Sequence, residues 1–250
     1  MKIDKPYLAD IKYIAFDFCG TLAELLPDTG ELLKKFVKDT YGHEFSMPVI
    51  QEAIKKVSAD LPYSSVKINN KELRSAYYQN FNCRLLESLG CVPVKPENLY
   101  SYFNEFERHW ALKRGGRELL EQLKALGYEL VLASNFDKNL EHILMELKIY
   151  NNFSMLFVSG AIGIEKPSIH FFENIIATLG CLPEHVLMVG DDLNLDIFPS
   201  YKAGMKSVHI DHNGAEALPS LVRFDDFQYI HVNNFSSVID ALLQFSKRTY

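Results

Sequence analysis

Tyr13-Ile14-Ala15-Phe16-Asp17-Phe18-Cys19-Gly20-Thr21-Leu22 is an apolar run that breaks off into an acid, a thiol, a glycine and a hydroxyl. Ile, Phe and Tyr without polar alternation predict a strand buried on both faces, as in a parallel sheet. Asp17 then stands at the carboxyl end of that strand, which is where open α/β sheets bind their ligands. A surface turn holding Asp and Gly would read the same way locally, so the rest of the chain has to decide between the two.

Beyond Leu22 the periodicity turns helical. Leu32, Leu33, Phe36 and Val37 share one face, and Pro48 opens a second segment through Ile50, Ala53, Ile54 and Val57. A third helix is predicted from about Asn70 to Leu89, with Leu73, Tyr77, Phe81, Leu85 and Leu89 on its inner stripe and Gly90 as its stop. A fourth runs from Pro96 through Phe103 and Phe106 to Trp110, so the aromatic residues at this spacing read as bundle core. From Gly115 helix and strand alternate, with strands at 128–133, 154–158, 186–189, 207–210 and 229–232. The pattern predicts an α/β fold, a doubly wound parallel sheet formed by residues 1–21 and 115–250, with a small helical bundle, residues 22–114, inserted after the first strand as a cap.

The composition excludes several classes of function. A formal charge of −6 over 250 residues gives no net field for holding nucleic acid. No apolar run approaches the roughly 18 residues that span a membrane, and the N-terminus lacks a hydrophobic signal core, so the chain reads as soluble and cytoplasmic. Cys19, Cys83, Cys91 and Cys181 form no C-x-x-C pair and are read as reduced thiols. His209-Ile210-Asp211-His212 looks like a metal cluster but lacks a third well-spaced partner, and is read as a strand entering a loop.

Four polar groups follow predicted strands or lie in the loops beyond them: Asp17, Ser134-Asn135, Lys166, and Asp191-Asp192 with Asp196. In a parallel sheet these loops share one edge. Carboxylates packed there repel one another unless a cation neutralises them, and hard oxygen donors suit Mg²⁺. Lys166 adds a fixed positive charge, and a hydroxyl and an amide add donors for anionic oxygens. The inventory suits phosphoryl transfer, with Asp17 as nucleophile.

In this order, and with a helical insert after the first motif, Asp17-Phe-Cys-Gly-Thr21, Ser134-Asn135, Lys166-Pro167 and Gly190-Asp191-Asp192-x-x-x-Asp196 resemble the haloacid dehalogenase superfamily, and within it the phosphatases with a helical cap. The resemblance implies an aspartyl-phosphate mechanism on a small phosphorylated metabolite. It implies Asp17, Ser134 and Lys166 as catalytic residues, Thr21, Ser134, Asn135 and Lys166 at the substrate, and Mg²⁺ held by Asp17, the Cys19 carbonyl and Asp191, with Asp192 and Asp196 in support. Arg74, Arg84, Arg108, Lys113 and Arg114 are candidates for a second anionic group of the substrate.

The sequence departs from those phosphatases two residues after Asp17, where their general acid and base is a second Asp and this chain has Cys19. Such catalysis contributes about 10²- to 10⁴-fold, and a thiol with a pKa of about 8.5 replaces a carboxyl group of about 3.9 poorly. Three readings stay open: a phosphatase with reduced turnover, a phospho-ligand binding or regulatory protein, and a 2-haloacid dehalogenase-like hydrolase.

Overall fold

The computed structural model describes residues 7–246 other than 65, 69, 94, 216 and 225, and of Ser246 only the backbone. The chain divides into two compact units, one built from the chain up to Glu24 and from Leu112 onward, the other from Leu25–Ala111.

The first unit carries a seven-stranded sheet. Strands β1 (Tyr13–Phe16), β4 (Glu129–Ser134), β5 (Met155–Val158), β6 (Val186–Gly190), β7 (Lys206–Ile210), β8 (Ser220–Phe224) and β9 (Phe227–Val232) lie in the order β5-β4-β1-β6-β7-β9-β8. All pairings are parallel except β8 with β9. The sequence expectation of a doubly wound parallel sheet is met. β1 lies at its centre, with Phe16 in register with Leu132 on one side and Val189 on the other. This explains the unbroken apolar run. Ala15, Val131, Ala133 and Met188 bury one face against Phe171, Phe172 and Ile175 of α8 (Ile169–Leu179), and Ile14, Phe16, Leu132 and Val189 are buried as well. With both faces covered, no residue of β1 is selected to be polar. The remaining helices of this unit are α5 (Gly116–Ala125), α6 (Leu140–Glu146), α7 (Ser159–Ile162), α9 (Phe198–Lys202) and α10 (Phe235–Ser246). Edge strand β8 has no counterpart in the sequence prediction, because its exposed and half-exposed residues carry no apolar pattern.

Residues 25–111 hold α1 (Thr29–Tyr41), α2 (Met47–Asp60), α3 (Lys71–Ser88) and α4 (Pro96–Glu105). Asp28 starts α1 by accepting from the amides of Gly30 and Glu31 at 2.8 and 3.1 Å, and Asn70 does the same for α3 at Leu73. Their shared core is Leu33, Phe36, Val37, Ile50, Val57, Leu85, Leu86 and Leu99. The predicted stripe of α3 is only half right. Leu85 and Leu89 are buried, but Leu73 is exposed, and Tyr77 turns its hydroxyl to the Leu61 carbonyl. The fourth helix also stops earlier than predicted. α4 ends at Glu105, and Trp110 belongs to strand β3 (His109–Leu112), which pairs with β2 (Ala23–Leu26) as a two-stranded sheet. Of the predicted anion-binding side chains, Arg108 is engaged by the Pro27 carbonyl and the Thr29 hydroxyl, and Lys113 pairs with Glu24. Among the described residues no helix is long and apolar enough to cross a membrane.

Candidate active site

The turn after β1 is set by hydrogen bonds that only a tight loop can make. The Asp17 amide donates to the Val189 carbonyl at 3.0 Å, extending the β1–β6 ladder by one residue, and the amides of Leu22 and Ala23 both close on the Phe18 carbonyl at 2.9 Å. Gly20 turns the corner with φ +88°, and a Cβ there would collide with the Asp191 carboxylate. Gly190 meets the same constraint on the other side, since a Cβ would run into Asp196. Both glycines let the backbone approach the acids.

Asp17, Asp191 and Asp196 each bring one carboxylate oxygen within 4.8 Å of the other two. Lys166 is the counter-charge. Its Nζ lies 2.7 Å from Asp17 Oδ1 and 2.6 Å from Asp196 Oδ1, and all three side chains are almost completely buried. Burial alone would lower the ammonium pKa. The two carboxylates outweigh it and drive the pKa up, so Lys166 stays charged. Asp196 Oδ2 takes the Asp192 amide at 3.3 Å, so both of its oxygens are occupied. Asp17 Oδ2 has no such partner among the described residues, whereas Asp191 Oδ1 accepts from the Thr21 hydroxyl at 2.8 Å.

Lys166 is aimed by Asn135. The Asn135 amide accepts from the Lys166 N–H and donates to the Lys166 carbonyl, each at 2.8 Å, clamping the loop's backbone to the end of β4. Next to it, Ser134 is buried, and its hydroxyl finds no hydrogen-bond partner among the described residues. An unpaired buried hydroxyl costs about 1–3 kcal/mol; a ligand oxygen would remove that cost. Of Thr21, Ser134 and Asn135, assigned to substrate by resemblance, Ser134 is the one whose side chain is left unengaged. The Thr21 hydroxyl is fully buried and given to Asp191.

Asp192 lies outside the acid group. Its Oδ1 caps the π-helical turn Leu193–Ile197 by accepting from the amides of Asn194 and Leu195 at 2.7 and 3.0 Å. Cys19 and Asp191 are reached by solvent at one edge while densely packed on the others. Desolvation first, and then the charges of Asp17 and Asp191, push the Cys19 thiol up to about 12. Desolvation and Asp17 together push Asp191 up to about 6. Asp17 and Asp191, two hard oxygen donors that repel one another in this way, fit a divalent cation, which would relieve both effects.

Exchanging Lys166 for Met will leave Asp17 and Asp196 buried without a counter-charge. Breaking such a group costs about 3–5 kcal/mol, which at about 2–4 °C per kcal/mol lowers the melting temperature by about 6–20 °C. Thermal denaturation checks it. An unchanged melting temperature would mean that the buried charges are not coupled, and adding Asp17→Asn to Lys166→Met will recover part of the loss.

Residues that the motifs do not include complete the site. Ser159, fully buried, holds Phe136 through that residue's amide at 3.0 Å. His209 Nε2 lies 3.0 Å from the Asp191 carbonyl, and His212 Nε2 lies 2.9 Å from the Thr21 carbonyl. The two histidines, read from the sequence as a strand entering a loop, touch the backbone of the two loops that carry the acids.

A family model described as haloacid dehalogenase-like hydrolase matches residues 11–199. A glyceraldehyde 3-phosphate phosphatase of Pyrococcus furiosus is 33% identical over 204 residues, covering 79% of this chain and 80% of its own length. One of the same name from Methanothermobacter thermautotrophicus is 37% identical over 125 residues, 49% of this chain and 55% of that protein. The chain spans about half the length of several curated relatives it matches. Among solved structures, a dehalogenase with an intermediate complex superposes with a TM-score of 0.65 at 17% identity, covering 96% of this chain and 99% of that one, a likeness of fold alone.

Proposed function

Because this chain belongs to the haloacid dehalogenase-like hydrolases, we propose that it is a Mg²⁺-dependent phosphatase of a small phosphomonoester, working through an aspartyl-phosphate on Asp17. The observation that carries this reading is the buried, unpartnered Ser134 hydroxyl at the end of β4, beside the strand that delivers Asp17. A haloacid offers it a carboxylate, but Asp191, a further acid beside Asp17 with which Lys166 makes no ion pair, favours a site that holds a cation. Phosphatase names among the relatives support the same substrate class.

Lys166 holds Asp17 Oδ1, which leaves Oδ2 to attack phosphorus. The bond from phosphorus to the substrate oxygen breaks, and that oxygen leaves with the bonding electrons and takes its proton from solvent. Ser134 donates to a phosphoryl oxygen and Lys166 offsets the charge on the transferred group. Water then attacks phosphorus and gives up a proton to solvent, the bond from phosphorus to Asp17 Oδ2 breaks, and the Asp17 carboxylate is restored with release of phosphate. Asp17, Asp191 and the Cys19 carbonyl would hold Mg²⁺, which supplies charge neutralisation at the transferring group. Asp196 keeps Lys166 in place. Cys19, with its thiol pushed up to about 12, is a weak acid for the leaving oxygen, so substrates with good leaving groups are favoured.

Cys19 also favours a second reading, a phospho-ligand binding protein with little turnover. Phosphate release from p-nitrophenyl phosphate tests the two. Slow release that EDTA abolishes and Mg²⁺ restores is expected. No release, together with tight binding of a phosphate ester, would favour the binding protein, and halide release from a 2-haloacid without metal would refute both.

A further inference from the structure

β7 and β9 are neighbouring parallel strands with His209 in register with His231, so the two imidazoles stand on one face of the sheet. His209 Nδ1 lies 3.1 Å from His231 Nδ1. His231 Nε2 lies 3.3 Å from Asn233 Nδ2, and that amide nitrogen also lies 3.4 Å from the Asp211 carbonyl. A carbonyl only accepts, so the Asn233 atom facing Asp211 is its NH₂, and the same group must donate to His231 Nε2. His231 therefore carries its proton on Nδ1. That proton faces His209 Nδ1, which must accept it and so keeps its own proton on Nε2, 3.0 Å from the Asp191 carbonyl. Each step has one self-consistent direction: Asn233 to His231, His231 to His209, His209 to Asp191.

The geometry points to His209 as a positioning residue for Asp191, held as the Nε2–H tautomer by His231 and Asn233. The Asp191 carboxylate has little freedom, with Gly20 backbone against it and the Thr21 hydroxyl on Oδ1. Its main chain, however, leaves β6 at Gly190 and turns away within one residue. The His209 N–H ties that turn to β7. His212 does the same for Thr21 on the facing turn, and its ring is packed edge-on against Phe235. The distance between the two acid-bearing turns is thus fixed from one strand end. A hydrogen bond of this kind is worth about two- to thirteenfold in an equilibrium constant.

The second arm of the test rests on the reading of Asp191 as a cation ligand; the first does not. Long-range ¹H–¹⁵N correlation of the ring nitrogens in the whole protein will show His209 protonated on Nε2 and His231 on Nδ1, and a His209 protonated on Nδ1 overturns the inference. Binding of Mn²⁺, followed by electron paramagnetic resonance, will weaken about fivefold in His209→Phe and return in His209→Gln, whose amide reaches the same carbonyl. Equal Mn²⁺ affinity in wild type and His209→Phe overturns the positioning role. If wild type binds no Mn²⁺, the cation reading falls and the tautomer spectrum alone decides.

Discussion

Asp17→Asn will lower phosphate release by at least about 10⁴-fold, the scale on which nucleophiles that act as part of a unit are lost. The change is isosteric and leaves the hydrogen bond from the residue-17 N–H to the Val189 carbonyl in place. Lys166 keeps Asp196 at 2.6 Å, so the buried ammonium retains a counter-charge. Asp191 loses the neighbour that helped to push it up to about 6, and its carboxyl returns toward the usual range. The fold should therefore survive with a melting temperature near that of wild type, and steady-state release of p-nitrophenol measures the rest. Activity that persists in a folded Asp17→Asn protein would remove Asp17 from the chemistry.

Cys19→Asp will have the opposite sign. A carboxyl group at this position can protonate the leaving oxygen and then take a proton from the attacking water, and the gain is about 10²- to 10⁴-fold in turnover. The gain will be largest for alkyl esters, whose leaving groups need the proton most. A fourth carboxylate beside Asp17 and Asp191 adds like charge, so without Mg²⁺ the variant will melt below wild type, and Mg²⁺ will narrow the difference. A comparison of aryl and alkyl phosphates in wild type and Cys19→Asp reads the effect. Equal turnover in both proteins, with both folded, would show that a carboxyl group at position 19 is not what turnover lacks.

The centre of the sheet was legible because burial on both faces removes any choice at Ile14, Ala15 and Phe16. Asp17, Lys166, Asp191 and Asp196 were legible because loops at one edge of a parallel sheet must converge, and they do converge within hydrogen-bonding or charge-coupling distance. What escaped the sequence depends on partners far along the chain. Trp110 reads as the last turn of a helix until β2 is known to lie beside it. Ser159 looks like a loop residue until it closes on Phe136. His209 could be placed in a strand from its neighbours, but only the β7–β9 register brings His231 to it. Asp192 and Asn135 have the right chemistry for the site, yet backbone groups nearby claim Asp192 Oδ1 and both ends of the Asn135 amide.

The inserted unit departs along β2 and returns along β3, which are hydrogen-bonded to each other, and the pairing continues into the sheet-bearing unit as the Lys113 amide donates to the Leu22 carbonyl at 2.9 Å. Its two ends are therefore fixed side by side. Closure entropy rises only about 0.6 kcal/mol for each doubling of loop length, so the sheet is nearly indifferent to how much chain is inserted there. Seen as a closure problem, Leu25–Ala111 is a long excursion whose ends meet, and the sheet registers only where it begins and where it stops.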